Sequence, residues 1–164
     1  MINNINVLVI DDEIGIRELI CDALGMVNIK TQSAVDGLEG LSKIRKDRFD
    51  LIILDINLPK LDGLSLLEKI RREGFNLPVM ILSARGHRND VTTGLKIGAD
   101  DYLAKPFGIE ELVLRVKSIL RRSSPQGIEK NILICGPIKI DLERYQVTFN
   151  DEIIDLSATE FRLL

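Results

Sequence analysis

The sequence predicts an α/β fold, an open parallel sheet with helices on both faces. Short apolar runs alternate with amphipathic stretches, and each run ends in a polar or acidic residue followed by turn chemistry. Runs that are apolar throughout, and do not alternate, read as strands buried on both faces. Alternation with helices implies βαβ units with right-handed crossovers. The order 2-1-3-4-5 is the usual one for such sheets and makes strands one and three neighbours where the order reverses.

Ile5 to Ile10 is the first strand, ending at Asp11-Asp12-Glu13, and Ile16, Ile20, Ala23, Leu24 and Val27 recur after it at helical spacing. Asn28 to Ser33 is a shorter, more polar strand, and Leu38, Leu41 and Ile44 mark the helix after it. Leu51-Ile52-Ile53-Leu54 runs into Asp55 as the third strand. Leu64, Leu67 and Ile70 set the third helix, with Gly74 at its C-terminal cap. Leu77 to Leu82 is the fourth strand, ending at Ser83, and Asp90 is a candidate cap for a helix reaching about Ile97. Tyr102-Leu103-Ala104 is the fifth strand, before Lys105-Pro106. Ile109, Leu112, Val113, Val116, Ile119 and Leu120 form the strongest amphipathic pattern in the chain.

The pattern breaks at Ser123-Ser124-Pro125-Gln126-Gly127, which reads as a linker. Residues 1–122 are therefore assigned to one domain, 123–130 to the linker and 131–164 to a second, incomplete unit. In that unit Ile132 to Cys135, Ile138 to Ile140, Tyr145 to Phe149 and Ile153-Ile154 are short segments separated by turn signals, a small antiparallel sheet. Ser157-Ala158-Thr159-Glu160 then forms a capping box ahead of Phe161 to Leu164. Such a stub is not expected to bury its own apolar face.

Composition excludes several classes. A hydrophobic share of 45% with 29% charged residues supports a packed core. A net charge of −3 gives no general attraction to nucleic acid or anionic membrane. The N-terminal apolar stretch is too short for a signal or spanning helix, so a cytoplasmic protein is expected. Cys21 and Cys135 stand in no metal spacing, and His87 is the only histidine, which argues against a histidine metal site or a Ser-His triad and suits a surface loop.

In open parallel sheets ligands bind outside the carboxyl ends of the strands. There this sequence places Asp11 and Asp12 (strand one), Asp55 (strand three), Ser83 (strand four) and Lys105 (strand five). Three crowded carboxylates repel, and a hard divalent cation such as magnesium relieves the repulsion while pairing with phosphate. A carboxylate can accept a phosphoryl group as a nucleophile, and an ammonium and a hydroxyl can meet its oxygens. Singly, acidic pairs are often helix caps, a serine structural and a lysine a surface charge. Five such residues at the strand ends of one sheet are poorly explained that way.

These residues carry a resemblance. Val9-Ile10-Asp11-Asp12-Glu13, Leu54-Asp55 with Leu58-Pro59 and Asp62-Gly63, Ser83-Ala84, and Gly98-Ala99-Asp100-Asp101-Tyr102 with Lys105-Pro106-Phe107 resemble the receiver domain of two-component response regulators. The resemblance covers residues 1 to about 122 and implies a flavodoxin-like (βα)5 fold. It implies that Asp55 is the phosphoacceptor for a histidine kinase. Asp12, Asp55 and the backbone carbonyl of Asn57 would bind Mg2+, with Asp11 acting through water. Lys105 would contact the phosphoryl group, its bond to Pro106 would be cis, and Ser83 and Tyr102 would be the switch pair. Apart from self-phosphorylation and autodephosphorylation, no enzyme activity is implied. An aspartate-nucleophile phosphatase fits less well, because such enzymes place a second acid where Asn57 stands, and no glycine-rich nucleotide loop is present.

Gly98 to Phe107 and Ile138 to Leu164 further resemble the OmpR/PhoB subfamily, DNA-binding regulators with a winged-helix output. There phosphorylation favours a homodimer through helix four, strand five and helix five. Asp100, Asp101, Glu111, Arg115 and Arg122 match its charged positions. Val91 does not, since a basic residue usually meets Glu111; Lys96 and Arg88 lie nearby. Residues 125–164 hold four basic and seven acidic side chains and no recognition helix, so promoter binding is expected only from a complete output domain. The expected function is a phosphorylation-switched transcriptional regulator. The alternative is a receiver acting as a phosphate sink or inactive dimerisation partner.

Overall fold

A computed structural model describes residues 4–84, 88–123, 132–141, 146–150 and 152–154, without the side chains of 88–91, 132–135 and 141. The chain divides into two compact units, Met1–Leu120 and Arg121–Leu164.

In the first unit the strands are β1 (Asn6–Ile10), β2 (Lys30–Ala34), β3 (Leu51–Asp55), β4 (Val79–Ala84) and β5 (Asp101–Lys105). They alternate with α1 (Ile14–Gly25), α2 (Gly37–Lys46), α3 (Gly63–Arg72), α4 (Arg88–Ile97) and α5 (Ile109–Ser123). The sheet order is β2-β1-β3-β4-β5, with every pairing parallel. This is the flavodoxin-like arrangement expected from the alternation. The period of two along each strand sorts the core into two clusters. Leu8, Ile10, Ile52, Leu54, Val79 and Ile81 pack with Leu41, Ile44, Leu66, Leu67 and Ile70 of α2 and α3. Val7, Val9, Leu51, Ile53, Met80 and Leu82 pack with Ile20 and Leu24 of α1 and Leu112, Val116 and Ile119 of α5. All five residues of β3 are buried, so the central strand delivers its terminal Asp55 from inside the protein.

Helix ends follow local chemistry. Asp36 and Asp62 cap α2 and α3 by accepting from the backbone N–H of Glu39 (2.8 Å) and Ser65 (2.9 Å). Gly74, at φ +89°, stops α3 in the left-handed conformation anticipated for it. Arg71 joins three segments: its guanidinium donates to the carbonyls of Phe75 (2.7 Å) and Leu77 (2.9 Å), and to that of Gly98 (2.8 Å) just beyond α4.

Some expectations need correcting. Leu38 is exposed, because α2 seats on its glycine face: a Cβ at Gly40 would stand 2.6 Å from Ile10 Cδ1, and this close approach turns Leu38 outward. Asp90 does not cap α4; the helix begins at Arg88, so Asp90 is already inside it. The fourth strand starts at Val79, after Pro78, whose carbonyl accepts from the Ile52 N–H (3.0 Å). The second strand runs from Lys30 to Ala34, after Asn28 takes φ 62°. Ser123 ends α5 and is not part of the linker.

The second unit contains an antiparallel sheet, β6 (Ile132–Cys135), β7 (Ile138–Asp141), β8 (Gln146–Phe149) and β9 (Glu152–Ile154), in that order. Val147 is buried, whereas Phe149, Ile153 and Ile154 are exposed, so this sheet leaves much of its apolar surface uncovered. The rest of the linker, the capping box at Ser157 to Glu160 with its helix, Tyr145, His87, and the side chains of Arg88, Asp90, Val91 and Cys135 lie outside the described residues. No described helix is long and apolar enough to cross a membrane.

Candidate functional site: an acidic cluster at the sheet's carboxyl edge

Sheet order makes this site. β1 and β3 are neighbours, so their terminal acids converge, and β5 brings a lysine from the far side of β4. One carboxylate oxygen from each of Asp11, Asp12 and Asp55 lies within 4.8 Å of the others. Asp11 and Asp55 are buried, and Asp12 is exposed. Lys105 Nζ donates to Asp11 Oδ2 at 2.8 Å and to Asp55 Oδ2 at 3.1 Å. The backbone N–H of Asn57 donates to Asp55 Oδ1 at 3.2 Å, and that of Glu13 to Asp11 Oδ1 at 2.9 Å. In register, Ser83 pairs with Ala104 and Ala84 with Lys105. Ser83 is buried, and its hydroxyl donates to its neighbour's carbonyl, Ala84 O, at 3.2 Å. The Lys105–Pro106 peptide bond is cis. Tyr102 is half-buried against the α2–α3 side of the core.

Burial pushes the Asp55 carboxyl above the ordinary carboxylate range; the Lys105 charge pulls it down and the Asp11 charge pushes it up further. Burial also works against the Lys105 ammonium. Hydrogen bonds and charge from Asp11 and Asp55 outweigh it, holding the lysine above its usual value. The ammonium thus pairs with two of the three clustered carboxylates, and Glu13 Oε1 lies 3.5 Å from it. This donor set, all hard oxygen with an excess of negative charge, suits a small divalent cation.

The structure therefore brings together Asp11, Asp12, Asp55, Asn57 and Lys105, with Ser83 at the neighbouring strand end. Other contributors were not singled out from the sequence. Glu13 reaches Lys105, Arg17 Nη1 donates to the Asp11 carbonyl (2.7 Å), and Gly63 lets α3 approach the strand end. A Cβ at Gly63 would lie 2.2 Å from the Asp55 carbonyl oxygen. The Asp62-Gly63 pair was visible, but as a motif and not as a packing requirement.

The charges expected at a dimer face are paired within this chain. Arg115 binds Asp101 (2.9 Å) and Glu111 (3.1 Å). Asp100 accepts from the Val79 N–H (2.9 Å) and lies 3.7 Å from Arg71. Arg122 is exposed on the last turn of α5.

The model of the response regulator receiver domain matches residues 7–117. The chain belongs to the response regulator receiver family. The chain is similar to the probable transcriptional regulator ycf27 of Porphyridium aerugineum, 39% identical over 163 residues, 96% of this chain and 68% of that protein. It is similar to the transcriptional regulatory protein PrrA of Mycobacterium tuberculosis, 38% identical over 159 residues, 96% of this chain and 68% of the relative. Among solved structures, the receiver domain of Francisella response regulator 1452 superposes with a TM-score of 0.70 at 42% identity, covering 74% of this chain and all of that one. These relatives are of the OmpR/PhoB type, and the chain carries the receiver domain of a transcriptional response regulator.

Proposed function

We propose that Asp55 accepts a phosphoryl group from the phosphohistidine of a sensor histidine kinase, as one step of a two-component relay. The observation that carries this is the position of Asp55: a buried carboxylate at the end of the central strand, 3.1 Å from an ammonium and grouped with two further acids. A carboxylate oxygen of Asp55 attacks phosphorus; the phosphorus–nitrogen bond breaks, an acyl phosphate forms, and the imidazole leaves with its electron pair. Lys105 is placed to balance the charge of the transferred group, and the Ser83 hydroxyl is free to exchange its carbonyl partner for a phosphoryl oxygen. Asp12, Asp55 and the Asn57 carbonyl would hold Mg2+, with Asp11 assisting through water. When bound, the ion supplies positive charge to the phosphoryl oxygens.

In this reading Ser83 and Tyr102 relay the change to α4, β5 and α5. Asp101, Glu111 and Arg115 then exchange their internal pairs for pairs across a homodimer, with Asp100 and Arg122 contributing. Promoter DNA is bound by a complete winged-helix output, and the protein works in the cytoplasm beside the kinase's catalytic domain. Support for the transcriptional role comes from the relatives' names and the extent of the match.

The test is phosphorylation by acetyl phosphate with magnesium, read by intact mass. The wild-type chain gains one phosphoryl group, chelation of the metal prevents it, and Asp55→Asn gains none. Undiminished labelling of Asp55→Asn would overturn the assignment.

A further inference from the structure

The loop between β3 and α3 carries Asn57, and its far end is fixed by two contacts without room for a side chain. At its far end Gly63 lies against the Asp55 backbone. Beside it, a Cβ at Gly37, the first residue of α2, would lie 2.0 Å from the Leu61 carbonyl oxygen. Immediately before Leu61, Lys60 adopts φ +67°, a left-handed conformation that glycine takes freely and lysine does not. A lysine there needs a reason, and its ammonium shows one: Lys60 Nζ donates to Asp36 Oδ2 at 2.8 Å. The lysine side chain is mostly exposed, but Asp36 is only 4% exposed, and its other oxygen caps α2. A carboxylate so buried and doubly hydrogen-bonded is far better fixed than a surface partner. The pair is mutually stabilised: the Lys60 hydrogen bond holds the Asp36 carboxyl below its ordinary value, and Asp36 holds Lys60 above its own.

We propose that the Lys60–Asp36 ion pair is a positioning latch for the metal-binding loop. By tying the loop to the start of α2 it keeps Asn57 beside Asp55 and lowers the ordering cost of cation binding. Neither residue touches the acidic cluster; both act through the loop backbone. The inference rests on the magnesium reading above.

Coulomb's law separates this role from a plain charge effect. Lys60 is a positive charge near a cation site, so its removal alone would tighten magnesium binding, and removal of the Asp36 charge would loosen it. The latch requires both losses to loosen binding. The test is calorimetric titration of the full chain with magnesium chloride at neutral pH. Lys60→Met and Asp36→Asn should each bind about 3- to 10-fold more weakly, below the 10- to 100-fold typical of direct ligand partners. The double variant should be no worse than either single one, and Lys60→Arg should restore binding to within about 2-fold of wild type. Asn can still cap α2, and Lys60→Gly relieves the backbone while removing the tie, so it should bind as weakly as Lys60→Met. These two variants keep the test open if Lys60→Met folds poorly. Binding by Lys60→Met or Lys60→Gly as tight as wild type, or tighter, overturns the latch alone. No heat of binding to the wild-type chain overturns the magnesium reading and the latch with it.

Discussion

Asp55 is held where its own ionisation is costly. Burial raises its pKa, so the folded protein disfavours the carboxylate relative to the unfolded chain. A raised acid costs stability above its folded value, and the cost fades as pH falls toward the ordinary carboxylate range. Asp55→Asn should therefore melt higher than wild type in metal-free buffer at neutral pH. The margin should shrink to nothing as pH drops through the window between the elevated and ordinary values. Thermal denaturation with chelator across pH checks this; a lower melting temperature at neutral pH would mean that attraction to Lys105 outweighs burial. Asp36, Glu39, Asp62 and Glu73 shift the opposite way, mainly through hydrogen bonds from Lys60, the Val35 N–H, Ser65 and Arg45; at Asp62 those bonds outweigh an opposing burial effect. Their contribution is complete above the ordinary carboxylate value and is lost as pH falls through their lowered values, so acid should destabilise the wild-type and Asp55→Asn folds alike and leave the gap between them to Asp55 itself.

At the scale of elements, local chemistry sets the boundaries and close backbone approach sets the positions. Asp62 caps α3 beside the phosphoacceptor strand. Asp62→Ala should cost about 1 kcal/mol in urea denaturation. Gly37→Ala should cost about 1–3 kcal/mol, because the new methyl group meets the Leu61 backbone and not a side chain that can turn aside. A cost near zero would show that α2 can retreat from the loop. The sequence made the β3 strand, the Gly74 stop and α5 legible, since each rests on a local pattern of burial or dihedral preference. It did not make Leu38 or Asp90 legible. Leu38 is turned out by the seating of Gly40 on Ile10, and α4 starts ahead of the best capping residue, outcomes decided by distant partners. The acids and the lysine of the site were legible because they stand at strand ends. The clamp formed by Gly37, Gly63 and Lys60 was not, because backbone approach leaves no mark on composition.

At the scale of the molecule, every buried member of the two receiver clusters lies within Met1–Leu120, the first compact unit. A chain ended after Ser123 should therefore melt cooperatively near the first transition of the full chain and bind magnesium equally well, as checked by calorimetry. A large loss of stability would show that the second unit supports the first. Light scattering with magnesium and beryllofluoride, a mimic of the phosphoryl group, should move the full chain from monomer toward dimer. Each exposed pair contributes only ~0–1 kcal/mol, so the expected mismatch at Val91 should weaken that dimer without abolishing it.

Arg71 gives the molecule a pivot. Its guanidinium binds the carbonyls of Phe75 and Leu77 on one side and of Gly98 on the other, so the far end of α4 is tied to α3 and to the connection that leads into β4. The near end follows β4, where Ser83 stands. A rod fastened at one end swings and does not slide. In the switch proposed for Ser83 and Tyr102, a displacement begun at the Ser83 end of α4 is expected to be widest near Arg88 and to die away toward Gly98, so the contribution of this helix would be a change of angle.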